Sequence, residues 1–265
     1  MRQAVLLFGP TAAGKTGASI QLANALEGEI INADSRQVYR GMPIITAMPT
    51  LKEQAQAPHH LFAFLDPSQP FSVGAWLQAA REQAEAIWQR GNIPIFVGGT
   101  GFYLTVLQYG ISPMPETDRD ILNSTQERLL DEGHTALFHE LEQIDPVWAA
   151  SIDPNNSHRL LRGLSIYKQT GKTLTSWQQE LKQGGLQADF VKLAISPKRD
   201  ILNARIDNRY QQMVDDGVLA EARSLYNAYL KNMSPDEIPP PAFKSIGLMD
   251  YAAYFAGEIT EAQAH

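Results

Sequence analysis

The chain has 265 residues, a formal net charge of −7, 44% hydrophobic and 19% charged residues, the profile of an ordinary globular protein with room for one or two domains. It contains no cysteine, which excludes disulfides, thiolate metal sites and thiol nucleophiles and leaves catalysis to carboxylates, His, Lys, Arg or bound metal. The acidic balance argues against nonspecific coating of nucleic acid while allowing a local basic patch. No apolar run approaches a signal-peptide core or a membrane span, so the expectation is a cytoplasmic protein with no membrane partner.

In chain order, residues 4–8 (Ala-Val-Leu-Leu-Phe) predict a buried strand that runs into Gly9, Pro10, Thr11, Ala12, Ala13, Gly14, Lys15 and Thr16, a complete G-x-x-x-x-G-K-[ST] phosphate loop. Glycines let the backbone bend close to oxygens, successive N–H groups and the helix dipole face the anion, Lys15 brings charge, and the Thr16 hydroxyl suits Mg²⁺. Its fixed positions coincide by chance in roughly one chain of this length in a hundred. A helix follows over 16–26, then a strand over 29–33 ending in the turn Asn32-Ala33-Asp34-Ser35-Arg36. A third strand is expected at 61–65, closed by Asp66-Pro67. The apolar spacing of Trp76, Leu77, Ala80, Ala84, Ile87 and Trp88 predicts a helix over 73–89. A strand over 93–97 leads into Gly98-Gly99-Thr100-Gly101.

Beyond the punctuation of Ser112-Pro113-Met114-Pro115, the periodicity turns helical, with Ile121, Leu122, Leu129, Leu130, Leu137, Leu141, Leu160, Leu161, Leu164 and Ile166, until strand character resumes at 190–195. Residues 113–187 therefore read as a helical insertion in an α/β core formed by 1–112 and 188–265. The five short apolar runs have the form of parallel strands covered on both faces by helices. Leu202, Ile206, Tyr210 and Met213 predict an apolar stripe on a helix over 198–214.

Three loops should meet at the carboxyl edge of this sheet, where open α/β proteins bind ligands: the phosphate loop, the Asp34 turn and the Gly98 to Gly101 turn. Asp34 would project toward the occupant of the phosphate loop, although an Asp after a strand is more often a cap or turn residue. Asp66 is a candidate metal-positioning acid and equally a turn residue before proline. Arg205 and Arg209, four apart on a helix, read either as partners of Asp200 and Asp207 or as a fork for phosphate. From His158 to Lys172 there is no acid, so Arg159, Arg162, Lys168 and Lys172 form a basic stretch that is either solvated or faces RNA phosphates. His59-His60 has no third ligand nearby at metal spacing and reads as packing or turn. On these residues alone an ATP-dependent small-molecule kinase remains open.

The ordered set of motifs narrows this. The phosphate loop, Asn32-Ala33-Asp34-Ser35-Arg36-Gln37-Val38-Tyr39 with Gly41-Met42, Thr46-Ala47, His59-His60-Leu61, Leu65-Asp66-Pro67, Val97-Gly98-Gly99-Thr100-Gly101, Gly171-Lys172-Thr173-Leu174 and Gly257-Glu258-Ile259-Thr260 closely resemble the tRNA dimethylallyltransferase family. The resemblance implies a P-loop NTPase-like parallel sheet flanked by helices, with the insertion contacting tRNA. It implies that residues 9–16 hold dimethylallyl diphosphate with Mg²⁺ on Thr16, and that the prenyl group goes to the N6 amine of the adenosine 3′ to the anticodon, position 37. In the resemblance Asp34 is the general base, Thr100 lies near the reacting amine and Arg209 helps stabilise the departing charge. Asp34, Ser35, Arg36, Gln37 and Thr100 touch the target base, which is flipped out of its stack, and His158, Arg159, Leu160, Leu161 and Arg162 meet the anticodon stem-loop. No protein partner is implied. Leu122 stands where the family often has a basic residue, and the family continues past the Gly257 element with a further basic helical segment. Alternatives to this reading are the kinase, a transferase prenylating free AMP, and a nucleotide-switched RNA-binding module.

Overall fold

A computed structural model describes residues 2–234 and 237–264. They form two compact units, Met1–Gln108 with Gly185–His265, and Tyr109–Gly184; the sequence reading set the edges of the insertion at 113 and 187. In the first unit five parallel strands, β1 (Gln3–Phe8), β2 (Gly28–Asn32), β3 (His59–His60), β4 (Ile93–Gly98) and β5 (Asp189–Ala194), lie in the order β3-β2-β4-β1-β5. Four consecutive residues of β1 are buried and all five of β2, as expected where helices cover both faces. Val5, Leu7, Ile30, Ile95 and Val97 pack with Ile20 and Ala23 of α1 (Lys15–Leu26). After the short α2 (Leu51–Gln54), α3 (Val73–Gln89) spans the length its apolar spacing predicts and buries Trp76, Leu77, Ala80, Ala84 and Ile87. Ser72 caps it by accepting the Ala75 N–H at 3.1 Å, removing one unsatisfied donor. The chain leaves β1 toward β2, and leaves β4 through α4 (Gly101–Tyr109) toward β5 on the opposite side. The carboxyl ends of β1 and β4 are thus a topological switch point, where a ligand crevice is expected.

Two strand expectations need correction. Residues 61–65 do not form the third strand: Leu61 and Ala63 adopt φ of 62° and 46°, left-handed values that end an extended run. The pairing is confined to His59–His60, while Phe64 and Leu65 donate to the Val38 carbonyl at 2.9 and 3.0 Å. The second correction is β5, a sheet edge rather than a strand covered on both faces, with Val191 51% exposed.

The insertion unit contains α5 (Arg119–Ile144), α6 (Pro146–Ala150), α7 (Ser157–Thr170) and α8 (Leu174–Gln178). Helix α5 is two segments joined at Gly133, whose φ of 81° is non-helical. Leu129, Leu137, Leu141, Ala149, Leu160, Leu161 and Leu164 make the core, whereas Leu130, expected on the buried face, is exposed. The buried Asp145 carboxylate caps α6 through the Trp148 N–H and accepts from the Thr175 N–H and hydroxyl at 2.9 and 2.6 Å, tying α8 to α6.

Back in the first unit come α9 (Arg199–Asp215), α10 (Val218–Tyr229), a 3₁₀ turn (Pro241–Lys244), α11 (Leu248–Ala256) and α12 (Glu261–Ala264). The stripe expected on α9 is largely exposed: none of its residues is fully buried, Ile206 and Tyr210 are exposed, and Met213 packs against the neighbouring core. Helices α10 and α11 instead enclose Val38, Tyr39 and Met42 with Val218, Ala222, Leu225, Phe243, Leu248 and Tyr251, which anchors the segment following Asp34. No helix among the described residues is long and apolar enough to cross a membrane.

Candidate functional site

Leaving β1, the backbone turns through Ala12 and Gly14 at φ of 62° and 96°. Gly14 is the N-cap of α1 and contributes no side-chain acceptor, so the first-turn N–H groups have no capping side chain and face outward as an anion site. Lys15 Nζ donates to the carbonyls of Gly9 and Pro10 at 3.0 and 2.9 Å, which leaves one of its three protons for a ligand. Burial pushes the Lys15 ammonium down, Asp34 opposes this, and Arg209 adds to it. The Arg209 guanidinium is likewise pushed down by burial and held up by Asp34. Lys15, Asp34 and Arg209 therefore share one electrostatic neighbourhood. Arg205 Nη1 donates to the Ala13 carbonyl at 3.2 Å, and neither arginine pairs with Asp200 or Asp207 among the described residues. That removes the solvated salt-bridge reading.

At the end of β2, Asn32 is fully buried. Its Oδ1 accepts the Asp34 N–H at 2.8 Å, and its Nδ2 donates to the carbonyls of Asp34 and Leu61, both at 3.0 Å. Asp34 Oδ1 accepts the Arg36 N–H at 2.8 Å. The Ser35 N–H donates to Thr100 Oγ1 at 3.2 Å, which joins the second and third loops. This closeness requires Gly98, since a Cβ there would collide with the Ala33 backbone carbonyl. Below the turn, the Trp76 indole donates to the Asn32 carbonyl at 2.9 Å and stacks on Tyr103, with centroids 4.3 Å apart. Burial first, with a smaller push from Tyr39 and Asp34, raises the Tyr103 phenol to about 12.

Among the other residues expected to touch the acceptor, Arg36 Nη1 donates to the Pro241 carbonyl at 3.0 Å. Gln37 Nε2 donates to the Thr46 and Ala47 carbonyls at 3.0 and 3.1 Å, so both side chains brace the protein itself. The half-buried Glu221 carboxylate holds the same loop by accepting the Ile44 and Ile45 N–H groups at 2.9 and 2.8 Å. Asp66 is a turn residue: its oxygens accept from Ser68 and from the Tyr229 hydroxyl. His60 bonds Glu29 at 2.6 Å and His59 bonds the Ala57 carbonyl at 2.7 Å, consistent with packing.

In the insertion, Leu160 and Leu161 are buried in its core, so their side chains are withdrawn from any RNA. Arg162 is bonded to the Thr117 hydroxyl and, at 3.3 Å, to the Pro115 carbonyl; burial lowers its guanidinium. Lys168 bonds Ser124, and Lys172 pairs with Glu180 and lies over the Trp177 ring. The Arg159 guanidinium has no such partner among the described residues. His158 stands beside it at the start of α7.

No cluster of three His, Cys, Asp or Glu side chains among the described residues could hold a metal by itself. The Thr16 hydroxyl at the start of α1 fits a hard cation that takes most of its oxygens from water and a bound diphosphate. Asn32, Trp76 and Tyr103 have no place in the sequence reading as site residues. The N-x-D spacing after a strand was the one legible signal for Asn32, since Asn accepts a backbone N–H two residues on.

A family model described as IPP transferase matches residues 37–265. A tRNA dimethylallyltransferase from Magnetococcus marinus is 40% identical over 262 residues, covering 97% of this chain and 83% of that protein. Another, from Anoxybacillus flavithermus, is 40% identical over 260 residues, covering 98% and 80%. The crystal structure of a full-length tRNA isopentenylpyrophosphate transferase from Bacillus halodurans has a TM-score of 0.66 at 35% identity, covering 100% of this chain and 80% of that one. A eukaryotic dimethylallyltransferase acting on tRNA reaches 0.81 at 31% identity, covering 97% and 64%.

Proposed function

This chain belongs to the IPP transferase family, and we propose that it moves the dimethylallyl group of dimethylallyl diphosphate to the N6 amine of the adenosine 3′ to a tRNA anticodon, position 37. The observation that carries this reading is the gathering of Lys15, Asp34 and Arg209 into one neighbourhood at an uncapped helix start, in a chain whose relatives are named tRNA dimethylallyltransferases. The proposal includes a cytoplasmic setting, where tRNA is modified.

The reaction breaks the bond between the allylic carbon and the diphosphate oxygen and forms one from that carbon to N6. Diphosphate leaves with the bonding electrons, and N6 loses a proton. The N–H groups of 12–16, Lys15 and Arg209 bind the diphosphate and are aimed where negative charge grows. Mg²⁺ held by Thr16 and the diphosphate would supply further positive charge there. The adenine amine is a poor nucleophile because its lone pair is delocalised into the ring, so Asp34 takes its proton as the bond to carbon forms. Thr100, tied to the Asp34 turn through Ser35, orients the amine. Ser35, Arg36 and Gln37 shape the wall around the base, the latter two chiefly by bracing the loops. The flipped adenosine excludes water from the allylic carbon. In the insertion, Arg159 meets tRNA phosphates, with His158 beside it at the start of α7 and Arg162 supporting the surface from within.

Incubation of dimethylallyl diphosphate or ATP with unmodified tRNA or AMP, in separate pairings, tests the reading. Prenylated adenosine in tRNA from the first donor alone is the expected product. Phosphoryl transfer from ATP, or prenyl transfer to AMP alone, would replace the proposal by one of its rivals.

A further inference from the structure

We infer that Asn32 is a positioning residue for the reaction, acting through the backbone of Asp34. This rests on the reading of Asp34 as the base. Both amide protons and the amide oxygen are engaged: Oδ1 accepts the Asp34 N–H at 2.8 Å, one Nδ2 proton goes to the Asp34 carbonyl and the other to the Leu61 carbonyl, each at 3.0 Å. The peptide groups on both sides of Asp34 are thus gripped by one rigid amide, and φ and ψ of Asp34 cannot change without breaking a bond to the fully buried Asn32. Loss of such a bond leaves an unpaired polar group, the costlier half of hydrogen-bond energetics. The Trp76 indole fixes the Asn32 peptide in turn at 2.9 Å, and Tyr103 backs the indole. Leu61 presents its carbonyl here because of its left-handed φ of 62°, the same turn that cuts β3 short. What remains mobile in Asp34 is its own side chain, and Oδ1 is steadied by the Arg36 N–H at 2.8 Å. Oδ2 is left for a substrate proton.

An amide is required chemically. Aspartate at 32 still accepts the Asp34 N–H but cannot donate to the two carbonyls, and serine is too short to span both. Asn32→Asp is therefore expected to lower kcat about 10- to 100-fold, the scale of misplacing a reacting group by an ångström, with KM for donor and tRNA held within about threefold. The deciding measurement is the cycle with Asp34→Ala. In that background Asn32→Asp should change the residual rate by less than about threefold, since there is no carboxylate left to position. An equal loss in both backgrounds, or an unchanged kcat in the single variant, overturns the inference. Should Asn32→Asp fail to melt cooperatively, Trp76→Phe, which lacks the indole N–H, carries the same cycle with a smaller loss that again vanishes beside Asp34→Ala; equal loss in both backgrounds, or no loss at all, overturns the inference there too. Near wild-type turnover by Asp34→Ala alone is a separate result, which removes the base assignment itself.

Discussion

Around residues 9–16, Lys15, Arg205 and Arg209 converge on one loop and its neighbour Asp34, whereas along α7 Arg162, Lys168 and Lys172 turn to acceptors of their own unit. Both regions gather basic side chains. In the first, burial lowers Lys15 and Arg209 and leaves them favouring an added anion; in the second, most of the charge is already spent on holding the helices and the segment before α5 together. A run of basic residues becomes a binding surface only where folding leaves its donors unpaired, so Arg159 is a better candidate for tRNA than Arg162.

The most severe test of this contrast is Asp34→Ala, expected to lower turnover about 10²- to 10⁴-fold, as for loss of a general base, and read from steady-state kinetics with tRNA. Next, Arg209→Gln should cost about 10²- to 10³-fold in kcat/KM for the donor, the range for one charge-stabilising donor. A change below about tenfold would show that Arg209 only lines the loop. Acid unfolding probes a carboxylate with a purely structural task. Arg90 first, then Asn92 and His60, bond Glu29 and bring its carboxyl down to about 2 against burial. A depressed folded pKa means stability present above the unfolded value of 4.5 and lost as pH falls toward 2. Glu29→Gln should remove on the order of 2 kcal/mol at neutral pH and flatten that acid limb in denaturant melts, partly exposed Arg90 limiting the size. In the insertion, Arg162→Ala should destabilise by about 1–3 kcal/mol through lost bonds to Thr117 and Pro115. Arg159→Ala should leave the melt unchanged and reduce the salt slope of tRNA binding by about one. The reverse pattern for these two arginines would erase the distinction between the regions.

Much of the sheet was readable because its signals are local. The run before Gly9, the phosphate loop and the span of α3 each follow from neighbours in sequence. Strand β3 was not, because Leu61 and Ala63 have strand-forming or neutral side chains yet adopt left-handed turns that bond Asn32 and Gln37 far upstream. The exposed stripe of α9 and the edge position of β5 depend on which elements lie beside them, a property no periodicity contains. For the site, residue types picked out Lys15, Asp34 and Thr100 through motif order. The loop-facing turn of Arg205, the amide bracket of Asn32 and the Glu221 clamp on Ile44 and Ile45 are tertiary facts. The pairing within the basic stretch was not legible because its acceptors are a carbonyl, hydroxyls and, for Lys172, the Glu180 carboxylate beyond the stretch, which a charge count over 158–172 does not see.

The central claim is a division of labour, the loop binding the prenyl diphosphate and Asp34 acting in the chemistry. Calorimetric titration of dimethylallyl diphosphate with Mg²⁺ into the wild type, Lys15→Ala and Asp34→Ala tests it directly. Affinity should fall by about tenfold or more in Lys15→Ala, the loss of one charge-assisted contact, and stay within about threefold of wild type in Asp34→Ala. Equal losses in the two variants, or binding of ATP with none of the prenyl donor, would contradict it.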